Sequence, residues 1–215
     1  MKKLVNSKYF LPIFMIVMVV IMQLIFYKIA IKFQGSSINV MMDIDDKIPF
    51  NETAIIPYTL WYILLFTVPF LIYKNDKKEF IKYLTTCFVM NTVADIIFII
   101  LPTTVTRPSL ICDNILCSMT KIVYFIDTPV RNCFPSLHCS TAIIWILFMC
   151  SKKYDNKYRI PVIIISLLVP ISTLIIKQHA FIDVIGGISY GFLIYSVINI
   201  FTKLQDYLYK NIPLK

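Results

Sequence analysis

Only two histidines occur in the 215-residue chain, and each stands beside polar helpers at the edge of an apolar block. His138 closes the stretch "FPSLH", which runs straight into "CSTAIIWILFMC". Proline fits the first turn of a helix, where its missing N–H costs nothing. A helix starting at or near Pro135 leaves the amides of Ser136, Leu137 and His138 free, and such an N-terminus favours an anion. Ser136 adds a hydroxyl. His179 opens "HAFID", so Asp183, four residues on, is expected on the same helix face. A carboxylate there fixes the imidazole tautomer and leaves the other ring nitrogen as nucleophile or base. Spacing alone equally allows a buried hydrogen-bond pair without chemistry. Arg107 and Lys177 add positive charge from the same side. Two imidazoles, a carboxylate, a guanidinium, an ammonium and a helix N-terminus suit phosphoryl transfer. Zinc is not expected, because no Cys-x-x-Cys pair accompanies the two histidines.

The elements that must position these groups are membrane spans. Hydrophobic residues make up 58% of the chain and charged residues 15%, and the apolar residues come in long blocks. A span needs roughly 20 mostly apolar residues. Six blocks are found, near Phe10–Ile31, Ala54–Tyr73, Ile81–Leu101, Ser136–Cys150, Ile160–Ile176 and His179–Phe201. The fourth is short and carries its polar residues at its start. Pro170 predicts a kink in the fifth. The first block is too long for a signal h-region and no small-residue cleavage site follows it, so it reads as a retained span. The expected fold is all-α, a six-span transmembrane helix bundle, with residues 1–215 forming one integral membrane domain.

The net charge of +9 would suit a nucleic-acid partner, but its distribution does not. Lys2, Lys3 and Lys8 precede the first block, and Lys74, Lys77, Lys78 and Lys82 lie between the second and third. Lys152, Lys153, Lys157 and Arg159 lie between the fourth and fifth, and Lys203, Lys210 and Lys215 follow the sixth. With alternating spans all of these fall on one side, which the positive-inside rule makes cytoplasmic, together with both termini. Membrane lipids, not DNA or RNA, then account for the charge. The richness in Ile, Lys and Asn suggests an AT-rich bacterial genome and a bacterial plasma membrane.

Two longer segments fall on the outer side. Phe33–Thr53 is expected to hold a short helix on the membrane surface. Pro102–Pro135 carries Arg107, Arg131 and the cysteines Cys112, Cys117 and Cys133, among which a disulfide is permitted. Cys87, Cys139 and Cys150 read as buried apolar residues. Gly187 and Gly191 form a small-xxx-small pair for close helix packing. Asp95 with Asn91 reads as an intramembrane hydrogen-bonded pair. Asp127 and Asn132 are candidate caps for the fourth helix. Tyr58, Trp61 and Tyr62 read as interfacial aromatics.

Three stretches together resemble a family. "RP" at Arg107–Pro108, "FPSLH" at Phe134–His138 and "HAFID" at His179–Asp183 are similar to the signature of the type 2 phosphatidic acid phosphatase superfamily: K-x6-R-P, then P-S-G-H, then S-R-x5-H-x3-D. "FPSLH" and "STLIIKQHAFID" look most like the subgroup related to inositol phosphorylceramide synthases. The resemblance implies an outer-facing site needing no metal or cofactor. His179 would attack phosphorus, Asp183 would orient it, and His138 would protonate the leaving alkoxide and then activate water or an acceptor alcohol. Arg107, Ser136 and the amides after Pro135 would hold the phosphate oxygens. Two family cations are absent: Ile100 stands at the lysine position and Thr173 at the arginine position. Thr173 itself is a candidate phosphate-pocket residue, and Lys177, one turn beyond it, is expected to replace the arginine there as a point charge, with Arg131 a further candidate.

Three functions follow from the resemblance. The first is a lipid phosphatase acting on a lipid phosphate or diphosphate. The second is a phosphotransferase moving a phosphorylated headgroup to a lipid alcohol. The third is a non-catalytic membrane protein on a degenerate version of the fold. The absent cations favour the third, and the retained His138, His179 and Asp183 oppose it.

Overall fold

A computed structural model of the chain describes residues 10–211. Lys2, Lys3, Lys8 and Lys215, four of the residues behind the expected orientation, lie outside them. The chain folds as a mainly helical bundle. Helix α1 (Phe10–Phe33) is followed by a two-residue strand β1 (Ile38–Asn39) and a short helix α2 (Asp43–Lys47). A 3-10 turn (Glu52–Ala54) leads into α3 (Ile55–Asn75), and α4 (Lys77–Ile100) follows. Strand β2 (Thr103–Thr104) pairs in parallel with β1. Helix α5 (Ile115–Ile126) precedes α6 (Leu137–Met149), α7 (Asn156–Ile175) and α8 (Phe181–Asn211).

Among the described residues five helices are long and apolar enough to cross a membrane: α1, α3 with its leading turn, α4, α7 and α8. Large apolar side chains stay exposed along them, including Leu24, Ile63, Phe66, Leu167 and Leu193. In water such a surface would drive aggregation, whereas in lipid it is the solvent-facing side. The fourth apolar block forms a helix of only 13 residues, α6. At 1.5 Å per residue it is about 20 Å long, short of a hydrocarbon core of about 30 Å. It is also the most enclosed helix: Ala142, Ile144, Trp145 and Met149 are completely buried.

Lipid gives no hydrophobic drive for helices to associate, so close packing and polar bonds carry it. Helix α6 packs on α7 and α8. A Cβ on Gly187 would come within 2.5 Å of the Ser136 carbonyl, and one on Gly191 within 2.5 Å of the Ser140 carbonyl. The Ser140 hydroxyl bonds the carbonyls of Ser136 (2.8 Å) and Gly187 (2.9 Å), tying the two helices. Deeper in the bundle, Trp145 Nε1 donates to Tyr83 Oη at 3.0 Å, beside Phe80, Phe148 and Ile72.

The basic turns gather at one end of the bundle. Asp76 caps α4 and meets Lys153 Nζ at 3.3 Å, and Lys78 pairs with Asp206 at 2.5 Å. Helix α8 runs about ten residues past the apolar block read from the sequence, because backbone bonding continues through its polar end to Asn211. At the opposite end, β1 and β2, α2 and α5 form a cover. Helix α5 was not foreseen in the loop; Asn114 caps it by accepting from the Cys117 amide at 2.9 Å. A disulfide joins Cys112 to Cys117, and Cys133 is a free, buried thiol. Burial pushes the Cys133 thiol up, so it stays protonated. Cys150, expected to be buried, is exposed at the end of α6.

Candidate active site

The two histidines meet at the covered end. His179 Nε2 lies 3.4 Å from His138 Nδ1, the rings nearly edge to face. Each is delivered by the end of a helix. Ser136 is the N-cap of α6, its hydroxyl accepting from the Cys139 amide at 3.4 Å, so His138 falls in the first turn. The first-turn amides of a helix lack intrahelical partners. That of Ser136 is taken by the Asp183 carbonyl (3.2 Å) and that of Cys139 by the Ser136 hydroxyl, which leaves those of Leu137 and His138. The helix start therefore keeps two free amides, those of Leu137 and His138, one fewer than the three expected.

His179 does not share a helix with Asp183. It sits in the turn between α7 and α8, and the turn's geometry brings it back over the carboxylate. Thr173 closes that turn: its carbonyl accepts from the Gln178 amide (2.9 Å) and the His179 amide (3.2 Å). Lys177, at φ 54°, bonds its amide to the Leu174 carbonyl at 3.1 Å. This is the Schellman pattern, with lysine in the left-handed position that normally takes glycine. Such a residue costs about 1–2 kcal/mol of backbone energy, an expense that clusters at functional sites.

Asp183 is completely buried in the first turn of α8. Its Oδ2 accepts from the Ala180 amide at 2.9 Å and lies 3.4 Å from His179 Nδ1. The second contact lacks hydrogen-bond alignment, and Asp183 Oδ1 has no partner among the described residues. Asp45, from α2, completes the support: its Oδ1 accepts from the Phe181 amide at 2.7 Å. The short helix expected on the membrane surface is thus a cap on α8, reaching under His179.

The cations expected to hold phosphate are engaged by the protein. Arg107 is nearly buried and pairs with Asp127 Oδ2 at 2.5 Å, its guanidinium 4.7 Å from the Tyr124 ring. Gln178, next to His179, donates to the same Asp127 oxygen at 2.6 Å, and Tyr27 Oη donates to Oδ1 at 3.3 Å. Asp127 is therefore a hub between Arg107 and the His179 turn, not a cap of α6. Burial pushes the Tyr124 phenol up to about 12 against the pull of the Arg107 guanidinium, so it keeps its proton and donates to the Ile176 carbonyl. Lys177 Nζ bonds the Asp45 carbonyl at 2.5 Å. Thr173 Oγ1 bonds the Pro170 carbonyl at 2.8 Å, with Cys139 Sγ 3.9 Å away. Both residues build the turn that carries His179. Arg131 reaches the Gly35 carbonyl (3.1 Å), and Asn132 meets Gln34. Asp95 forms no bond with Asn91: both carboxylate oxygens lack a partner among the described residues, as do both amide atoms of Gln23.

Two aromatic residues complete the site. Tyr58 Oη lies 3.1 Å from His138 Nε2, and Trp61, one turn on, lies with its ring 4.5 Å from the imidazole. Tyr58 is 1% exposed, so it is no interfacial residue. Among the described residues no three His, Cys, Asp or Glu side chains group closely enough to hold a metal ion.

The model of the PAP2 superfamily matches residues 80–206, more than half of the chain. The chain belongs to the PAP2 superfamily. Neither a curated protein nor a solved structure matches it. Membership in the PAP2 superfamily supports phosphatase or phosphotransferase chemistry. Arg107, Ser136, His138, His179 and Asp183 fall inside the superfamily match, whereas Tyr27, Asp45, Tyr58 and Trp61 precede it.

Proposed function

We propose that this membrane protein is a lipid phosphatase that works through a phosphohistidine on His179. The observation that carries this reading is the 3.4 Å approach of His179 Nε2 to His138 Nδ1, from two separate helix ends. His179 Nε2 attacks phosphorus and the bond to the lipid oxygen breaks. That oxygen leaves with its electron pair and takes a proton from His138 Nδ1. His138 then removes a proton from water as the water oxygen attacks phosphorus, and the bond to His179 breaks, releasing phosphate. Asp183 Oδ2, fixed by the Ala180 amide, keeps the proton on His179 Nδ1 and stabilises the ring as it gains positive character. The amides of Leu137 and His138, with Arg107, receive the phosphate oxygens. An attacking nitrogen about 3–3.5 Å from phosphorus and a donor about 2.6–3.2 Å from the leaving oxygen need more room than the resting rings leave, so phosphate binding parts them.

The reading extends to topology. Six crossings, with α6 as a short central one, put the basic turns and both termini in the cytoplasm and the site toward the outer leaflet of a bacterial plasma membrane. Because α6 is about 10 Å shorter than the hydrocarbon core, His138 lies below the headgroups and the substrate phosphate is drawn inward. The whole chain acts as one integral membrane domain. A second reading replaces water with a lipid alcohol: the "FPSLH" variant and its likeness to the inositol phosphorylceramide synthase subgroup support it.

Purified protein in detergent, given a panel of lipid phosphates with and without a lipid alcohol, tests both. Phosphate release abolished by His179→Ala supports the phosphatase. Headgroup transfer without net phosphate release favours the transferase. Full turnover by His179→Ala removes both.

A further inference from the structure

We propose that Tyr58 is a positioning residue that fixes the tautomer of His138; this rests on the reading of His138 as the acid and base of the reaction. An imidazole has two nitrogens, and here each has a single assignment by place. Nδ1 faces His179 Nε2 at 3.4 Å, where the leaving oxygen must be protonated and water deprotonated. Nε2 faces away, toward Tyr58 Oη at 3.1 Å. Trp61 lies against the ring at 4.5 Å, so a ring flip that exchanges the nitrogens meets the indole. Tyr58 and Trp61 are i and i+3 on α3, hence on one face of that helix. They come from before residue 80, outside the superfamily match, so nothing in that match assigns them.

A phenol oxygen accepts a hydrogen bond as well as donating one. With Nε2–H donating to Tyr58 Oη, His138 enters the first step as an imidazolium and gives its Nδ1 proton to the leaving oxygen. It is then the neutral Nε2–H tautomer with a bare Nδ1, the form that can take a proton from water in the second step. The ring returns to the imidazolium, and Tyr58 gains and loses no proton. Without the hydroxyl, Nε2–H is a buried donor lacking a partner, which is costly in an apolar setting. The neutral ring then favours the proton on Nδ1, a form unable to act as base toward water. The expected defect is therefore in turnover and not in binding.

Tyr58→Phe is assayed with a diacylglycerol phosphate in detergent micelles. We expect kcat to fall roughly tenfold to a hundredfold, with KM within about twofold of wild type. In a His138→Ala background Tyr58→Phe should cause no further loss, because the two residues act as one unit. Nitrogen-15 NMR of histidine-labelled wild-type protein gives an independent reading. With only two histidines, the His138 signals are identified by comparison with His179→Ala. Above the ring's titration they should show the Nε2–H tautomer. An unchanged kcat, an additional loss on top of His138→Ala, or the Nδ1–H tautomer would each overturn the proposal. Should Tyr58→Phe fail to fold, the wild-type spectrum decides alone. The phosphohistidine reading fails separately, through wild-type turnover by His179→Ala, whatever Tyr58→Phe does.

Discussion

The two ends of the bundle use charge in opposite ways. At the basic end, Lys78 and Asp206 pair with side chains 70% and 45% exposed, and Lys153 and Asp76 with side chains 59% and 32% exposed. Pairs of that kind contribute about 0–1 kcal/mol and fade with salt. At the site end, the Arg107 side chain is 7% exposed and Asp183 is not exposed at all. There each carboxylate serves several donors: Asp127 takes Arg107, Gln178 and Tyr27, and Asp45 takes the amides of Phe181 and Met42. On the proposed topology the basic end needs only a sign of charge. The site end needs specific atoms at specific distances, because two imidazoles must meet with the correct nitrogens facing.

The sharpest break of this contrast is His138→Ala, which removes the proposed acid and base while leaving the caps in place. Phosphate release should fall about 10²–10⁴-fold, with the melting temperature in detergent lowered as well, because the buried Tyr58 hydroxyl loses its partner and a cavity opens beside Trp61. Asp127→Asn comes next. It leaves the Arg107 guanidinium without its ion partner and loosens Gln178 beside His179. We expect a destabilisation of about 1–3 kcal/mol, and a fall in kcat larger than any rise in KM, read from thermal melts and steady-state kinetics together.

The structure also shows which parts of this arrangement were legible in the sequence. Long apolar blocks marked the helices, because a membrane span must satisfy its backbone internally over a fixed length. The same criterion hid α5, whose 12 residues mix Ser118, Thr120 and Lys121 with apolar ones, and the polar end of α8. His138, His179 and Asp183 stood out as candidates because each sits in a short polar stretch at the edge of an apolar block, though the turn that sets His179 over Asp183 did not show in their spacing. The partners of the cations were not: Asp127 lies 20 residues from Arg107, and Asp45 lies 132 residues from Lys177. Nor were Tyr58 and Trp61, since aromatic residues near the end of a span suit a lipid interface as well as an imidazole. Thr173 and Lys177, candidates for the phosphate pocket by their place in the sequence, also form the turn that carries His179, a role set by backbone bonds that spacing does not reveal.

Lys177→Gly tests that last distinction. Glycine suits the left-handed position, so stability should rise or stay within about 1 kcal/mol, with activity retained at least in large part. A collapse of phosphate release without loss of folding would instead return Lys177 to the phosphate pocket. The smallest effect is expected at the other end: Lys78→Ala should change stability by less than about 1 kcal/mol and leave turnover unaltered.

The central claim is that His179 carries the phosphoryl group between two acid–base steps run by His138. The most direct measurement is brief incubation with phosphorus-32-labelled lipid phosphate, alkaline quenching and mapping of the protein-bound label. The account predicts label on His179 that is stable in base and lost in acid, present in the wild type and absent from His179→Ala. Turnover with no protein-bound label in any of these proteins, or label retained by His179→Ala, would contradict it.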